Sequence, residues 1–351
     1  MTKIAINGFG RIGRQFFRAV FTARPFEALA KEGRLEIVAV NDLTDPKTLA
    51  YLLKYDSVYG RYGKEIKVDG NALVIDGKII EVVAEKDPAK LPWGAMGVDI
   101  VVESTGFFAT AEKAQAHIIA GAKRVVITAP AGDDVVTALI GVNDDRFATK
   151  NPITCNASCT TNSVSPVMKI ILDNFGVKKA VMTTVHGYTA TQKLVDGPDA
   201  KDPRRGRAAA VNIVPSTTGA AEAVIQTIPE LAGKFQAESV RVPTLTGSLS
   251  IMTVITEKKT SVEEINNVFK KAAEDPRWSK SLKTTDDPIV STDIIGEPYG
   301  AIVDLTLTRV LGDPSTPLGT GDLIKVFSWY DNEAGYTATL VEHVKRIAKN
   351  L

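Results

Sequence analysis

Seven consecutive residues, Asn156-Ala157-Ser158-Cys159-Thr160-Thr161-Asn162, place a thiol among hydroxyls where a helix should begin. The apolar residues that follow, Val164, Val167, Ile170, Ile171 and Phe175, recur at helical spacing, and Gly176 is a natural stop. A cysteine at a helix N-terminus faces unpaired N–H groups and the positive end of the peptide dipoles, which favour thiolate over thiol. A thiolate is a nucleophile, and its formation calls for a base within hydrogen-bond reach. The β-like run from Lys179 ends at Val185-His186-Gly187-Tyr188, so His186 is the candidate base.

Other polar groups suit an anionic substrate. Arg241 lies in Val240-Arg241-Val242-Pro243-Thr244, and Arg205 lies in the basic cluster Lys201-Asp202-Pro203-Arg204-Arg205-Gly206-Arg207. Thr217-Thr218-Gly219 opens an apparent helix through Ile225. Arginines, with hydroxyl and N–H groups at a helix start, make an oxyanion pocket. Near the end of the chain, Trp329-Tyr330-Asp331-Asn332-Glu333-Ala334-Gly335-Tyr336 precedes an amphipathic helix containing Leu340, Val344 and Ile347. By residue type, Asn332 there reads as a helix cap.

The elements ahead of the thiol read as a nucleotide-binding unit. Lys3-Ile4-Ala5-Ile6-Asn7 is a short buried strand, followed at once by Gly8-Phe9-Gly10-Arg11-Ile12-Gly13 and then a helical apolar pattern through Phe21. Strand, Gly-x-Gly-x-x-Gly, helix is the context a dinucleotide site requires. Gly8 permits the tight turn, Gly10 admits a pyrophosphate close to the backbone, and Gly13 lets helix and strand pack together. A second strand, Leu35 to Val40, ends at Asn41-Asp42. An acidic side chain there accepts from an adenosine ribose and repels a 2′-phosphate, favouring NAD over NADP. Asp42 lies 29 residues beyond Gly13, against about 20 in the usual pattern, and the Pro25 to Gly33 connection is expected to absorb the excess.

Further strands at 99–103 and 124–128 flank a helical stretch from Ala109 to Ala120, completing a βαβ unit. Ser104-Thr105-Gly106 and Ala129-Pro130 sit just after these strands, at the carboxyl ends where doubly wound sheets bind ligands. His117, inside the helical stretch, reads as a surface or packing residue. Lys54 to Gly60 reads as a loop.

Bulk properties narrow the function classes. The 351 residues suffice for two domains, and 42 basic against 41 acidic residues give a net charge of +1, which offers no drive toward nucleic acid or membrane. No apolar run reaches the roughly 18 residues a spanning helix needs. Met1-Thr2-Lys3 leads directly into a strand, so no secretory signal is expected, and Cys155 and Cys159 are expected to be reduced in the cytoplasm. Two cysteines and three histidines so scattered make a metal site improbable.

The cysteine run, His186 with Thr189-Ala190-Thr191-Gln192-Lys193 after it, and the glycine fingerprint together resemble the glyceraldehyde-3-phosphate dehydrogenase family, with all landmarks in family order across the chain. The resemblance implies an α/β architecture. A Rossmann domain with a doubly wound parallel sheet would span residues 1–157, completed by a C-terminal helix at 333–351. An α+β catalytic domain with a mostly antiparallel sheet would span 158–332. It implies Cys159 as nucleophile and His186 as acid/base partner. Thr189, Thr191 and Arg241 would hold the substrate phosphate; Ser158, Thr160, Thr218, Gly219 and Arg205 would hold inorganic phosphate. NAD would meet Gly8, Gly10, Arg11, Ile12, Gly13, Asp42, Thr105 and Thr128, with Asn332 orienting the nicotinamide carboxamide and Tyr336 near that ring. It further implies a homotetramer.

Two departures stand out. Ser163 occupies the position where the family commonly has a second cysteine, and Cys155 appears four residues before the nucleophile instead. Ala131-Gly132-Asp133-Asp134 is one residue longer than usual, while Asp196-Gly197-Pro198 resembles NAD-using members. The reaction implied is oxidative phosphorylation of D-glyceraldehyde 3-phosphate. Erythrose 4-phosphate as substrate, a semialdehyde dehydrogenase, and a dinucleotide- or RNA-binding protein without turnover remain alternatives.

Overall fold

The computed structural model describes residues 1–21, 35–312 and 320–351; the Pro25 to Gly33 connection lies outside the described residues. Contacts divide the chain into two units. The first comprises Met1–Leu139, Asp144–Ala157 and Thr337–Leu351; the second comprises Ile140–Asn143 and Ser158–Tyr336.

The first unit is built from β1 (Thr2–Asn7), α1 (Arg11–Phe21), β2 (Leu35–Asn41), α2 (Pro46–Lys54), β3 (Ile66–Asp69), β4 (Ala72–Ile75) and β5 (Lys78–Val83). It continues with α3 (Trp93–Met96), β6 (Ile100–Glu103), α4 (Ala111–Ile119), β7 (Arg124–Ile127), β8 (Val136–Thr137) and β9 (Ile153–Cys155). Among the described residues these strands form one sheet in the order β3-β4-β5-β2-β1-β6-β7-β9-β8. All neighbours run parallel except in the β3-β4-β5 meander. Strands covered on both faces read as unbroken apolar runs, and Ile4, Ala5 and Ile6 are indeed wholly buried. Chain order reverses about β1, with β2 on one side and β6 on the other, so a crevice opens at their carboxyl ends.

Local chemistry sets the element ends. Asp45 caps α2 by accepting from the Thr48 N–H at 3.0 Å, with Pro46 at the first helical position. Asp45-Pro46 is therefore a helix start, and Asp42 remains available at the end of β2. Thr110 caps α4, whose His117 is fully buried and hydrogen-bonded, so it packs the interior and is not a surface residue.

The second unit contains α5 (Cys159–Phe175), β10 (Lys179–Gly187), β11 (Val214–Ser216), α6 (Ala220–Thr227), β12 (Phe235–Val242), β13 (Ser248–Thr260) and α7 (Val262–Glu274). It continues with β14 (Leu282–Thr285), β15 (Ala301–Asp304), β16 (Arg309–Leu311) and β17 (Gly321–Tyr330). The strand order is β11-β12-β10-β13-β17-β15-β14, with β16 also on β17. Antiparallel pairs dominate; β10 with β12 and β14 with β15 are parallel. α5 lies against β13, β15 and β17, which explains why nearly its whole length is buried.

Register across this sheet assembles distant residues. Val214 pairs with Arg241, Arg241 with His186, and Ser248 with Tyr330. A one-residue slip would send each of these side chains to the opposite face.

The last helix is α8 (Ala334–Ala348). Asp331, fully buried, accepts from the Glu333 and Ala334 N–H groups at 2.9 Å each. Asp331 is thus the cap, and the Asn332 side chain is released from the capping task read for it in the sequence.

Candidate active site

Cys159 is the first residue of α5, and Ser158 caps it by accepting from the Thr161 N–H at 3.0 Å. The preceding Ala157 has φ of 53°, a left-handed conformation that costs a non-glycine residue about 1–2 kcal/mol. That turn brings the chain from β9 into the helix so that the thiol sits at its N-terminus. Cys159 Sγ lies 3.4 Å from His186 Nε2. The Gly187 carbonyl, 2.6 Å from His186 Nδ1, accepts that nitrogen's proton and leaves the Nε2 lone pair facing sulfur. The Arg241 guanidinium approaches Nδ1 at 2.8 Å, a contact that calls for the other tautomer; its NH1 group also donates to the Gly187 carbonyl at 3.2 Å. With the proton on Nδ1, the Gly187 carbonyl accepts from both the imidazole and Arg241, whereas the other tautomer leaves Nε2–H facing the thiol. Behind the imidazole, the Tyr330 ring packs edge-on at 5.9 Å, and its hydroxyl bonds Thr184 at 2.7 Å and Thr160 at 3.0 Å.

Burial pushes the Cys159 thiol above its ordinary value, and Arg241 and Thr160 pull it only part of the way back. Burial, then the Arg241 charge, drive His186 down to about 3. The helix end therefore does not make a thiolate unaided, as the sequence suggested, because desolvation of the sulfur outweighs it. A proton passing from Sγ to Nε2 creates two opposite charges side by side, with Arg241 and the α5 N-terminus favouring the sulfur anion, so the pair titrates as a unit. Cys155 contrasts with it. Its Sγ donates to the Ala129 carbonyl and accepts from the Ala157 N–H, and burial raises its thiol to about 11. It is a structural, unreactive thiol. Ser163 is buried against Ser328.

Arginines and hydroxyls surround this pair. Arg205 donates to the Ser216 hydroxyl and the Thr217 carbonyl, just ahead of Thr218 and Gly219 at the start of α6. It lies near enough to Arg241 for the two positive charges to oppose each other, an arrangement that an anion between them would relieve. Thr218 Oγ1 accepts from the Ala220 N–H. Thr189 is half-buried and Thr191 exposed, and their hydroxyls bond each other at 2.9 Å. Thr160 has its hydroxyl turned inward to Tyr330, and Ser158 spends its own on the cap, so each offers an anion chiefly its main chain.

Asn332 is held in one orientation. The Gly247 N–H, an unambiguous donor, reaches one side-chain terminus at 3.1 Å, which identifies that atom as Oδ1; the Thr246 and Ser248 hydroxyls converge on it too. Nδ2 is then the donor end of the amide. Tyr336 is buried in the first turn of α8.

In the first unit a cavity of about 370 Å³ opens at the carboxyl ends of β1, β2 and β6, lined by Gly8, Gly10, Asp42, Leu43, Thr105 and Phe107 among others. Gly8 has φ of 91°, and a Cβ there would collide with the Thr105 main chain. A Cβ on Gly13 would overlap the Gly8 carbonyl oxygen, whereas one on Gly10 would meet no protein atom within 4 Å. Gly10 thus keeps space open for something other than protein. Asp42 accepts from the Phe9 N–H at 2.8 Å, fixing its carboxylate beside the glycine loop. The Arg11 guanidinium, at the start of α1, is committed to Asp56 at 2.5 Å. That contact gives the Lys54 to Gly60 loop a role, since Asp56 also receives the Val58 and Tyr59 N–H groups. Thr128 donates its N–H to the Glu103 carbonyl beyond β7.

Residues 2–111 match the family model described as glyceraldehyde 3-phosphate dehydrogenase, NAD binding domain, and residues 158–332 match the C-terminal domain of the same family. The glyceraldehyde-3-phosphate dehydrogenase of Thermotoga maritima is 51% identical over 349 residues, covering 99% of this chain and 100% of the relative. Those of Clostridium acetobutylicum and Mycolicibacterium smegmatis are each 48% identical, over 350 and 351 residues, covering 99% of both partners. The chain belongs to the glyceraldehyde-3-phosphate dehydrogenase family.

As in the family's cofactor domain, the glycine loop here fits NAD: the open side of Gly10 and the α1 N-terminus suit a pyrophosphate, and Asp42 suits a ribose diol. Sequence reasoning passed over Leu43 and Phe107 on this family cavity, and Tyr330, Thr246 and Ser248 in the second unit. Leu43 and Phe107 are 58% and 76% exposed, and large apolar side chains directly after strand ends in a candidate nucleotide cleft were the available signal.

Proposed function

We propose that this member of the family catalyses the NAD-dependent oxidative phosphorylation of D-glyceraldehyde 3-phosphate to 1,3-bisphosphoglycerate. The observation that carries the reading is the Cys159 thiol at a helix N-terminus, 3.4 Å from an imidazole nitrogen, with the Arg241 charge acting on it and Arg205 acting in turn on Arg241. Cys159 Sγ attacks the aldehyde carbon as His186 Nε2 takes the thiol proton and returns it to the alkoxide oxygen that forms, giving a thiohemiacetal and a neutral imidazole. The same imidazole holds the hydroxyl proton as that carbon is oxidised to the thioester. Bound NAD supplies the two-electron acceptor for that oxidation. Inorganic phosphate then attacks the thioester carbonyl, the C–S bond breaks, and the acyl phosphate leaves with Cys159 restored.

Two anions have to be held, which accounts for two groups of polar residues. Thr189, Thr191 and Arg241 hold the substrate's own phosphate; Ser158, Thr160, Thr218, Gly219 and Arg205 hold inorganic phosphate. Gly8, Gly10, Arg11, Ile12, Gly13, Asp42, Thr105 and Thr128 hold NAD, and Asn332 offers Nδ2 to the nicotinamide carboxamide with Tyr336 nearby. Support for a homotetramer comes from Leu194, Val195, Val211 and Ile213, each more than 70% exposed, since such apolar side chains belong in an interface. The enzyme is assigned to the cytoplasm; among the described residues no helix is long and apolar enough to cross a membrane.

The test is kcat/KM for glyceraldehyde 3-phosphate and erythrose 4-phosphate, each with and without phosphate and with NAD or NADP. A clear preference for the three-carbon aldehyde, NAD and phosphate is expected. Equal or better turnover of the four-carbon aldehyde would overturn the substrate assignment.

A further inference from the structure

Beneath the NAD cavity lies a buried carboxylate that the chemistry above does not use. Glu103, the last residue of β6, is 1% exposed, and its neighbours His117, Trp93 and Asn7 are buried as deeply. An unpaired charge in such a place is strongly unfavourable, so its partners matter. One oxygen accepts from the Thr105 N–H at 2.8 Å and from the Thr105 hydroxyl. The other accepts from Asn7 Nδ2 at 2.5 Å and faces His117 Nε2 at 3.0 Å.

Groups that can only donate fix every role in this relay. The Trp93 indole N–H reaches His117 Nδ1 at 3.1 Å, so Nδ1 accepts and the imidazole proton sits on Nε2, pointing at Glu103. From the other side, the Glu85 N–H donates to Asn41 Oδ1 at 2.9 Å, and Asn41 Nδ2 donates to Asn7 Oδ1 at 2.6 Å. Asn7 must then turn Nδ2 toward Glu103. All the contacts on Glu103 are donors, and the acceptor-only carboxylate is the form they satisfy.

The output of the relay is a turn. With its proton spent on Glu103, the Thr105 hydroxyl accepts from the Phe107 N–H at 3.0 Å. Ser104 Oγ donates to the Gly8 carbonyl at 2.6 Å, tying the same turn to the glycine loop. Ser104, Thr105 and Phe107 line the cavity, as do Asn7 and Asn41.

We propose that Glu103 is a positioning residue for NAD binding: oriented from behind by His117 and Trp93, its carboxylate sets the 104–107 turn against which the dinucleotide seats. The proposal rests on the assignment of this cavity to NAD. A carboxylate is needed because no neutral residue accepts from both sides at once. Glutamine presents one acceptor and one NH₂ donor, so Glu103→Gln sets a donor either against Thr105 or against Asn7 and His117.

The experiment measures NAD affinity by calorimetry, and KM for NAD and kcat with the full enzyme, for Glu103→Gln, His117→Gln and His117→Leu. Glu103→Gln is expected to raise the NAD Kd and KM by about tenfold or more, with kcat at saturating NAD within a few-fold of wild type. A residue that served stability alone would instead lower the fraction of active enzyme and leave KM unchanged. His117→Gln keeps an NH₂ donor for Glu103 and is expected to retain NAD affinity better than His117→Leu, a comparison that stands even if Glu103→Gln fails to fold. Equal Kd values for the two His117 variants, or a folded Glu103→Gln with wild-type Kd, would overturn the proposal. Gly10→Ala serves as the control: if it weakens NAD and the relay variants do not, the relay fails alone, and if it has no effect the cavity assignment itself fails.

Discussion

Replacing His186 with asparagine removes the proton acceptor from Cys159 while retaining a polar group on the same strand. Sγ then has no imidazole 3.4 Å away to take its proton, and the burial that pushes the thiol above its ordinary value of 9.0 acts unopposed by the pair. At pH 7 a thiol of that kind is less than about 1% ionised. General-base assistance contributes about 10²- to 10⁴-fold, or some 2.7–5.4 kcal/mol. The first-turnover burst of NADH, followed by stopped flow without phosphate, is expected to slow by that factor. Iodoacetamide alkylation of Cys159 is expected to shift its pH profile upward, because reactivity then waits for the buried thiol to ionise alone. NAD affinity should be unchanged, since no residue assigned to the dinucleotide is altered. A variant with a wild-type burst rate, or with an unshifted alkylation profile, would refute the proton transfer drawn here.

Further consequences concern the cofactor loop and acid stability. Gly10→Ala is expected to leave the apo protein's melting temperature within a degree or two, because the added methyl meets no protein atom, yet to weaken NAD at least about tenfold; calorimetry showing an unchanged Kd would contradict the cradle. Asp42→Ala removes a charged acceptor from the Phe9 N–H; it is expected to lower kcat/KM for NAD by about ten- to a hundredfold and to narrow the gap to NADP, and an unchanged ratio of the two would count against the ribose contact. His343 is buried neutral, with Nδ1 donating to the Ala138 carbonyl and Nε2 accepting from Thr154, and burial holds it at about 3. Its folded value lies below its unfolded one near 6.5, so its contribution is intact above pH 6.5 and is lost as pH falls from there toward 3, at about 1.4 kcal/mol per pH unit. Urea midpoints of His343→Gln should therefore fall less steeply than wild type between pH 6.5 and 4, and parallel slopes would refute this.

The parts of this site that were legible in sequence are those whose determinants are local. Gly8, Gly10 and Gly13 sit between a short unbroken apolar run and a period-3.6 helix, so strand, turn and helix could be read together, and the hydroxyls around Cys159 ahead of a helical apolar pattern marked a helix start. Partners brought together by strand register left no such trace. His186 is 27 residues from Cys159, Arg241 is 55 from His186, and Tyr330 is 170 from Thr160. Their meeting depends on β12 lying parallel to β10 and β17 lying beyond β13, a topology that periodicity does not encode. Asn7, Asn41 and Glu103 were hidden differently: each is one polar residue ending an apolar run, and it acquires meaning only when β1, β2 and β6 become neighbours. The strength of the helix-end effect on Cys159 was overread because sequence shows the dipole but not the burial that opposes it. Asn332 was read as a cap because its neighbour Asp331, which does the capping, offers the same chemistry one residue away.

The most direct measurement is mass spectrometry of the enzyme mixed with glyceraldehyde 3-phosphate and NAD in the absence of phosphate. A thioester on Cys159, formed with one NADH per active site and discharged when phosphate is added, is the expected result. An acyl group on any other residue, or stoichiometric NADH with Cys159 unmodified and still alkylatable, would contradict covalent catalysis by this thiol.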